Sequence, residues 1–281
     1  MEQLPRLKAR IASLKELRNL VRAMRALAAS HAQEAQSALG GIRRYVEVVE
    51  KAIAEGASLL DDAERLFARS TQAVGSLSIV VAGEHGFAGA FSRRLLDHAV
   101  AERKPGQELV VIGRRGAMLA EEMGLDVRQS FAMATHVGGV LGITRHIAAY
   151  LREVSTADVV FGSYQKGGSF EPRSKRLLPL DPALLEGREA ANPPLHHLEP
   201  AALLQQLAEE YFFAELTRAI MESLASENGA RLQAMSAADH NIGDKLDKLQ
   251  RTELALRQES ITSELLDVVT GSEAILADTG R

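Results

Sequence analysis

The sequence has no cysteine and no tryptophan, and aromatic residues make up only 4% of its 281 residues. Without cysteine it can form no disulfide, thiolate metal site, iron–sulfur cluster or cysteine nucleophile. No apolar run approaches the ~20 residues of a membrane helix, and no apolar signal segment opens the sequence. Compact cores of this size usually use aromatic side chains freely. We therefore expect long helices and a soluble protein of a reducing compartment.

The net charge of −4 argues against general nucleic-acid binding, but the charge is unevenly distributed. Residues 1–30 hold seven basic and two acidic side chains, whereas residues 221–281 hold eleven acidic and six basic ones. Opposite charges would allow the two ends of the chain to lie side by side. Two solvated helix faces would produce the same pattern, so charge alone leaves both interpretations open.

Both ends of the chain have the apolar spacing of long helices. Near the start, apolar residues recur every three or four positions in the narrow stripe of a coiled-coil seam, with an expected end at Glu55-Gly56. The stripe comprises Leu4, Leu7, Ile11, Leu14, Leu17, Val21, Met24, Leu27, Ala28, Ala35, Leu39, Ile42, Val46, Val49 and Ile53. From Ala201 to about Ala277 there is no proline, and the same spacing returns.

The lengths of these helices predict how they pack. At 1.5 Å per residue they would be roughly 80 and 115 Å long, whereas a compact domain of ~125 residues is only about 35–40 Å across. Because exposed single helices are marginal, we expect an antiparallel coiled coil that protrudes as a shaft. The longer helix would still extend by roughly 20 residues, and its exposed apolar side chains need a partner. These are Leu256, Ile261, Leu265 and Val268.

The middle of the chain alternates short apolar runs with helical stretches. Strands are predicted at 77–82, 109–112 and 157–162, helices at 90–103, 114–123 and 139–154, and an edge strand at 173–180. This order predicts a small, Rossmann-like layered α/β domain with a mostly parallel sheet. The expected organisation is an N-terminal coiled-coil helix (1–70), an α/β domain (71–200) and a C-terminal coiled-coil helix (201–281).

One glycine-rich segment invites a chemical interpretation. The loop from Gly83 to Gly89 follows a strand and opens a helix, where phosphates often bind. It matches neither G-x-G-x-x-G nor the P-loop pattern, and it has no lysine, so a structural turn is favoured over nucleotide binding. The pair His196-His197 lacks ligand spacing, and no nucleophile motif accompanies Glu84-His85. We therefore expect no catalytic residue, cofactor or metal.

Several segments resemble the γ subunit of F-type ATP synthases, the central rotor shaft, and the resemblance extends over essentially the whole chain. The moderately specific matches are RAMRALAAS (22–30) and EHGFAGAF (84–91). The very specific ones are ESLASENGARLQAM (222–235) and RQESITSEL (257–265), followed by VVTG (268–271). The resemblance implies the α/β and coiled-coil architecture that the periodicity independently predicts.

The resemblance also implies function and partners. Such a subunit turns inside a hexamer of three α and three β subunits, driven by a proton- or sodium-powered c-ring, and the α/β domain contacts the ε subunit and that ring. It is not itself catalytic and binds no nucleic acid. The implied location is the cytoplasmic side of a bacterial inner membrane, peripheral and reached through the complex.

Individual residues receive roles from the same resemblance. Arg257, Gln258 and Thr262 look like a polar catch that hydrogen-bonds one β subunit at a time, and Met24 matches a position near that catch. His196 and His197 lie where the family approaches the c-ring and ε. As a hypothesis about the basic first helix, its face at Arg18, Arg22 and Arg25 would meet acidic lever loops on β.

The chain departs from the family pattern at a few positions. These are His31, Glu84-His85, Phe87-Ala88 and Asn228-Gly229. They suggest a divergent branch and count against a standard contact surface for ε. Two other function classes remain. One is an autonomous α/β nucleotide-binding protein or transferase that uses the glycine loop, and the other is a stand-alone coiled-coil adaptor.

Overall fold

The structure, a computed structural model, describes residues 3–60, 75–151, 154–165, 167–185 and 195–279. The described helices are α1 (Gln3–Ala57), α2 (Phe91–Glu102), α3 (Arg114–Glu122), α4 (Val137–Tyr150) and α5 (Pro200–Thr279). The described strands are β1 (Ser76–Val81), β2 (Glu108–Ile112), β3 (Val127–Phe131), β4 (Thr156–Tyr164) and β5 (Phe170–Leu178). A search of these residues found no helix with a stretch long and apolar enough to cross a bilayer.

The chain divides into two compact units, and α1 and α5 contribute residues to both. One unit comprises residues 1–26 with 235–281, and the other comprises residues 27–234. The boundary predicted between residues 70 and 71 lies outside the described residues.

In the first unit α1 and α5 run antiparallel. Arg18 lies against Gly243, whereas Arg25, seven residues further along α1, bonds to Asp239, which is four residues earlier in α5. The pairing buries Ile11, Val21, Met235 and Leu246 to at most 7% exposure. The predicted pairing of the terminal helices is therefore confirmed in this unit.

The predicted seam is wrong at two positions. Leu17 is 45% exposed and Leu27 is 58% exposed, although both belong to the apolar stripe read from the sequence. A helix that meets one partner buries only a narrow face, and apolar residues at the margin of that face remain in solvent. Further along α5, Ile261 and Leu265 are exposed as predicted, whereas Leu256 is partly buried, so its predicted exposure is wrong. The side chain of Val268 lies outside the described set.

The second unit contains a five-stranded sheet in the order β3-β2-β1-β4-β5. Neighbouring strands are parallel except for β5, which runs antiparallel to β4. This arrangement confirms the predicted Rossmann-like layer and the edge position of the last strand. That strand begins at Phe170 rather than residue 173, because its pairing with β4 starts directly after a tight turn.

Two local predictions are corrected. β3 escapes prediction because Arg128, Gln129 and Ser130 are polar and exposed, as is typical of an edge strand rather than of a buried one. Helix α4 begins at Val137, two residues earlier than expected, because the extended backbone ends at His136. It ends at Tyr150 rather than at residue 154, and Leu151 is its C-cap.

Both faces of the sheet are covered, which explains its apolar strands. Val80 of β1 packs with Phe91 and Leu95 in the layer formed by α2 and α3. Its neighbours Ile79 and Val81 point to the opposite layer, formed by α4 and by segments of α1 and α5. All five side chains are at most 1% exposed. The C-terminal helix is thus part of the domain core, and this packing fixes where its polar side chains meet the strands.

Candidate functional site

Helix α5 occupies the position where open α/β sheets usually bind ligands. β1 pairs with β2 on one side and with β4 on the other, and ligands bind beyond the carboxyl ends of strands at such a switch point. Here the Ser223 hydroxyl donates to Val81 O and accepts from Gly162 N, both at 2.9 Å. The Ser226 hydroxyl donates to Gly162 O at 2.8 Å. We call residues 222–233 of α5 the seat, because this segment joins the helix to β1 and β4.

The glycine loop after β1 binds an anion that belongs to the same chain, the carboxylate of Glu227 in α5. The backbone N–H groups of Glu84 and His85 donate to the Glu227 carboxylate at 3.4 and 3.2 Å. Arg231 pairs with the same carboxylate and donates to His85 O and Gly86 O, both at 3.2 Å. A phosphate at these N–H groups would have to displace Glu227. This geometry supports the structural interpretation of the loop over nucleotide binding.

Both Glu227 and Arg231 are enclosed, with side chains 3% and 11% exposed. A buried carboxylate without partners is strongly disfavoured, and here each partner comes from the loop or from one turn of the same helix. The loop holds Phe87 at φ +65, a left-handed conformation that is unfavourable for a bulky residue, and leaves its side chain exposed. The departures Glu84-His85 and Phe87-Ala88 therefore lie in a loop fixed by α5.

A second buried carboxylate joins the loops that follow the first three strands. Glu84 accepts hydrogen bonds from Arg114 N at 3.1 Å and from Met133 N at 2.7 Å, and the Arg114 guanidinium lies 2.8 Å from it. Its side chain is 5% exposed. Because two backbone N–H groups engage Oε2 and the Arg114 guanidinium engages Oε1, Glu84 ties these loops together, which supports a structural role for it.

The remaining polar residues of the seat also have structural partners. Glu222 accepts from Tyr164 N at 3.0 Å and from Arg43 at 3.1 Å. A methyl group on Gly229 would lie 2.8 Å from Gly168 O, so only glycine allows the β4–β5 turn to approach the helix this closely. Asn228 is 3% exposed and donates to Leu224 O. The departure Asn228-Gly229 thus reflects packing inside the second unit.

In the first unit the three predicted basic-face residues come together on one carboxylate. Arg18, Arg22 and Arg25 occupy one face of α1, and their guanidinium nitrogens lie 2.8, 3.1 and 3.2 Å from Asp239. The hydrogen bond from Arg18 is the largest influence that holds the pKa of Asp239 below its usual value. No motif in the sequence singles out Asp239, because its partners are more than two hundred residues away. We call the three arginines the basic ridge.

The structure brings only part of the predicted catch together. Arg257, Gln258 and Thr262 are all exposed and lie within about one and a half turns of α5, where the Thr262 hydroxyl donates to Gln258 O at 2.9 Å. Met24 lies beside Arg25, at the level of Asp239. That level is about 27 Å from Arg257 along the helix, so Met24 and the catch residues are not neighbours.

The two histidines lie in the short segment that precedes α5. His196 and His197 are both exposed, and His196 Nδ1 is 2.8 Å from Leu198 O. Leu195, next to them, is fully exposed. Among the described residues no group of histidines and carboxylates is arranged to hold a metal ion.

Comparisons with known proteins agree with this architecture. A family model described as "ATP synthase" matches residues 3–275. The chain is similar to the ATP synthase gamma chain of Solibacter usitatus, with 32% identity over 70% of this chain and 71% of that one. It is similar to the gamma chain of Bdellovibrio bacteriovorus, with 26% identity over 98% and 99%.

Solved structures show the same fold. A chain of the Euglena gracilis mitochondrial ATP synthase, in a structure titled OSCP/F1/c-ring, matches with a TM-score of 0.70 at 15% identity over 98% of this chain and 95% of that one. A chain of the central stalk and c-ring structure of the Tetrahymena thermophila mitochondrial ATP synthase matches with a TM-score of 0.53 at 17% identity, over 78% and 99%.

Proposed function

The chain belongs to the ATP synthase gamma chain family, and from this premise we propose that it is the central-stalk rotor subunit of an F-type ATP synthase. In that role it is a non-catalytic shaft. The ion-driven c-ring turns it, and its rotation changes the conformations of the β subunits in a hexamer of three α and three β. It acts on the cytoplasmic side of a bacterial inner membrane, which it reaches through the complex.

The observation that carries the proposal is the seat. A rotor has to transmit torque from its α/β domain into its long helix, so the joint between them must resist twisting. Ser223, Ser226 and Glu227 make buried hydrogen bonds to the backbone of β4 and of the segments at and after the end of β1. Each such bond contributes about 0.5–1.5 kcal/mol, and leaving its partner unsatisfied costs about 1–3 kcal/mol. Twisting the helix would break several of them together.

The contacts with partners follow the family resemblance. Arg257, Gln258 and Thr262 would hydrogen-bond one β subunit at a time, a role to which their exposure on α5 is suited. Exposed apolar side chains near them, such as Ile261 and Leu265, would slide against the inside of the hexamer. His196 and His197 would lie toward the c-ring and the ε subunit.

Asymmetry explains how a shaft without catalytic residues can direct catalysis. Each β subunit meets a different face of the paired helices, and that face favours an open or a closed catalytic site. Met24, being distant from the catch, would act through the packing of α1 on α5 and not by touching the same part of β.

Reconstitution tests the proposal. The full chain is mixed with the α and β subunits of a bacterial relative, and we expect one copy to co-purify with three of each. Immobilised hexamers should then rotate a bead attached to the chain when ATP is added. Failure to assemble with the hexamer, together with stoichiometric binding of nucleotide by the isolated chain, would instead favour the autonomous nucleotide-binding protein.

A further inference from the structure

Four side chains of alternating charge join the edge strand β5 to both long helices within the second unit. The ammonium of Lys175 in β5 lies 2.5 Å from the carboxylate of Glu215 in α5 and 3.9 Å from that of Glu50 in α1. The guanidinium of Arg218, also in α5, lies 2.7 Å from the other oxygen of Glu215. Two carboxylates thus meet two cations and their charges balance. We call these four residues the clamp.

Aromatic rings and burial hold the clamp in one arrangement. The Lys175 ammonium lies 5.5 Å from the centre of the Tyr211 ring, and the Arg218 guanidinium lies 5.7 Å from that of the Phe161 ring in β4. The Glu215 side chain is only 1% exposed. A carboxylate that is withdrawn from water in this way requires its cations, because leaving it without them is strongly disfavoured.

The clamp and the seat hold α5 at two different levels. Glu215 precedes Ser223 of the seat by eight residues, which is about 12 Å along the helix axis. A helix that is attached at one level can tilt about that level, whereas a helix attached at two levels keeps its direction relative to the sheet. The seat bonds to β4 and to the end of β1, and the clamp bonds to β5. The two attachments therefore involve different strands as well as different levels.

We propose that Lys175 is a positioning residue through which torque passes from the outer edge of the sheet into both long helices. Of the four clamp residues Lys175 alone belongs to the sheet, and β5 has a single neighbouring strand, β4. The edge of the sheet is therefore joined to α1 and α5 through this one side chain of the clamp. The inference rests on the proposed function, because a rotor has to transmit torque and an autonomous protein does not.

The variant Lys175→Met separates this link from the rest of the domain. It keeps a long side chain and removes the cation. Glu215 would still have Arg218 as its partner, and Glu50 would still accept a hydrogen bond from the Tyr211 hydroxyl, which lies 3.4 Å away. The domain should therefore fold, while the link between β5 and the helices is lost.

The torsional stiffness of the assembled rotor tests the inference. The full chain is assembled with the α and β subunits of a bacterial relative, the hexamer is immobilised, and a bead is attached to the α/β domain. Because the chain has no cysteine, the single variant Ala101→Cys on the exposed side of α2 provides the attachment. In the absence of ATP, Lys175→Met should widen the angular fluctuations of the bead, whereas Lys175→Arg keeps the cation and should retain the original width. Unchanged fluctuations in Lys175→Met would overturn the inference.

Val111→Ala is the matched control for loss of stability. Val111 is fully buried in β2 and packs in the layer of α2 and α3, so its truncation weakens the domain without touching the clamp. It should lower the melting temperature and leave the bead fluctuations unchanged. If it widens them as much as Lys175→Met does, general loosening of the domain explains the result and the inference is wrong.

Amide exchange of the isolated full chain distinguishes this inference from the proposed function. In Lys175→Met the amides of β5 should exchange about tenfold faster, because the strand loses its link to the helices. A chain that assembles and rotates, but shows neither this change nor wider fluctuations, keeps its rotor function and refutes the role of Lys175. If the original chain never assembles, the rotor function and the passage of torque through Lys175 both fall, whatever the exchange result.

Discussion

Two parts of the same helix reverse the usual relation between polarity and burial. In the seat, Glu227 is 2% exposed and Ser226 is fully buried, whereas further along α5 Ile261 is 49% and Leu265 is 62% exposed. The polar segment lies inside because the carboxyl ends of β1 and β4 and the loop after β1 provide backbone partners. The apolar segment stays outside because this chain offers no surface to cover it among the described residues. Burial therefore follows available partners and not hydropathy.

The difference teaches what each part is for. A buried polar side chain with backbone partners fixes one geometry, since any displacement leaves donors or acceptors unsatisfied. An exposed apolar side chain does not constrain the geometry of the isolated chain, and it contributes favourable free energy only when it packs against another surface. The seat is built for rigidity, and the distal part of α5 is built for contact.

Removing a seat carboxylate should have the largest effect. Glu227→Ala leaves the Arg231 cation enclosed without its partner and frees the N–H groups of Glu84 and His85. We expect the free energy of unfolding to fall by about 3–5 kcal/mol, measured by urea denaturation. Glu259→Ala, an exposed position on the distal part of the same helix, should change it by less than about 0.5 kcal/mol. Equal losses of stability in Glu227→Ala and Glu259→Ala would contradict the distinction between the seat and the distal part of α5.

Two glycines of α5 provide a second test of the difference between the seat and the rest of the helix. In Gly229→Ala the new methyl group would lie 2.8 Å from the backbone oxygen of Gly168, which cannot move away freely. We expect a loss of about 1–3 kcal/mol. In Gly243→Ala the nearest atom is the end of the flexible Arg18 side chain at 3.0 Å, and alanine gains up to about 1 kcal/mol of helix propensity. That variant should be neutral or more stable in the same denaturation assay, and a loss equal to that of Gly229→Ala would contradict the prediction.

The sequence predicts the two long helices well because their apolar spacing repeats over many turns. It also predicts β1, β2 and β4, whose apolar runs end at glycine or at a turn. It does not predict β3, because the partly buried Val127 and Phe131 are separated by three polar, exposed residues. Local pattern is therefore sufficient where an element has a continuous apolar run or a long apolar stripe, and insufficient for a short edge strand such as β3.

The candidate site is predicted less completely. Ser223 and Glu227 fall inside the segment that carries the family resemblance, but their partners lie far away in sequence, so no local pattern indicates that they are buried. No feature of the sequence indicates that Asp239 belongs to the candidate site. Arg257, Gln258 and Thr262 stay a prediction, because contacts with another chain leave no trace in the packing of this one.

The effect of pH on the stability of the first unit should be smaller than the effects of Glu227→Ala and Gly229→Ala. Because the arginines lower the pKa of Asp239 in the folded chain, its ion pairs contribute stability above the ordinary aspartate pKa. This contribution is lost as the pH falls through the lowered value. Between pH 5 and pH 3 the melting temperature of the original chain should therefore fall more steeply than that of Asp239→Asn. Parallel curves would mean that the cluster adds no stability that depends on the charge of Asp239.

Substitution of an exposed apolar residue in the distal part of α5 should have the smallest effect on folding. Such a substitution also distinguishes the two parts of α5 most strongly. Leu265→Ser removes an exposed side chain that is already mostly in water, so the free energy of unfolding should change by less than about 0.5 kcal/mol. The same substitution should weaken assembly with the α and β subunits, measured as the fraction of chain that co-purifies with the hexamer. The seat variant Ser223→Ala should show the reverse, with loss of stability and normal assembly of the folded fraction. If Leu265→Ser destabilised the isolated chain as strongly as Ser223→Ala, the distal helix would already be packed against this chain itself, and its exposure to a partner would be refuted.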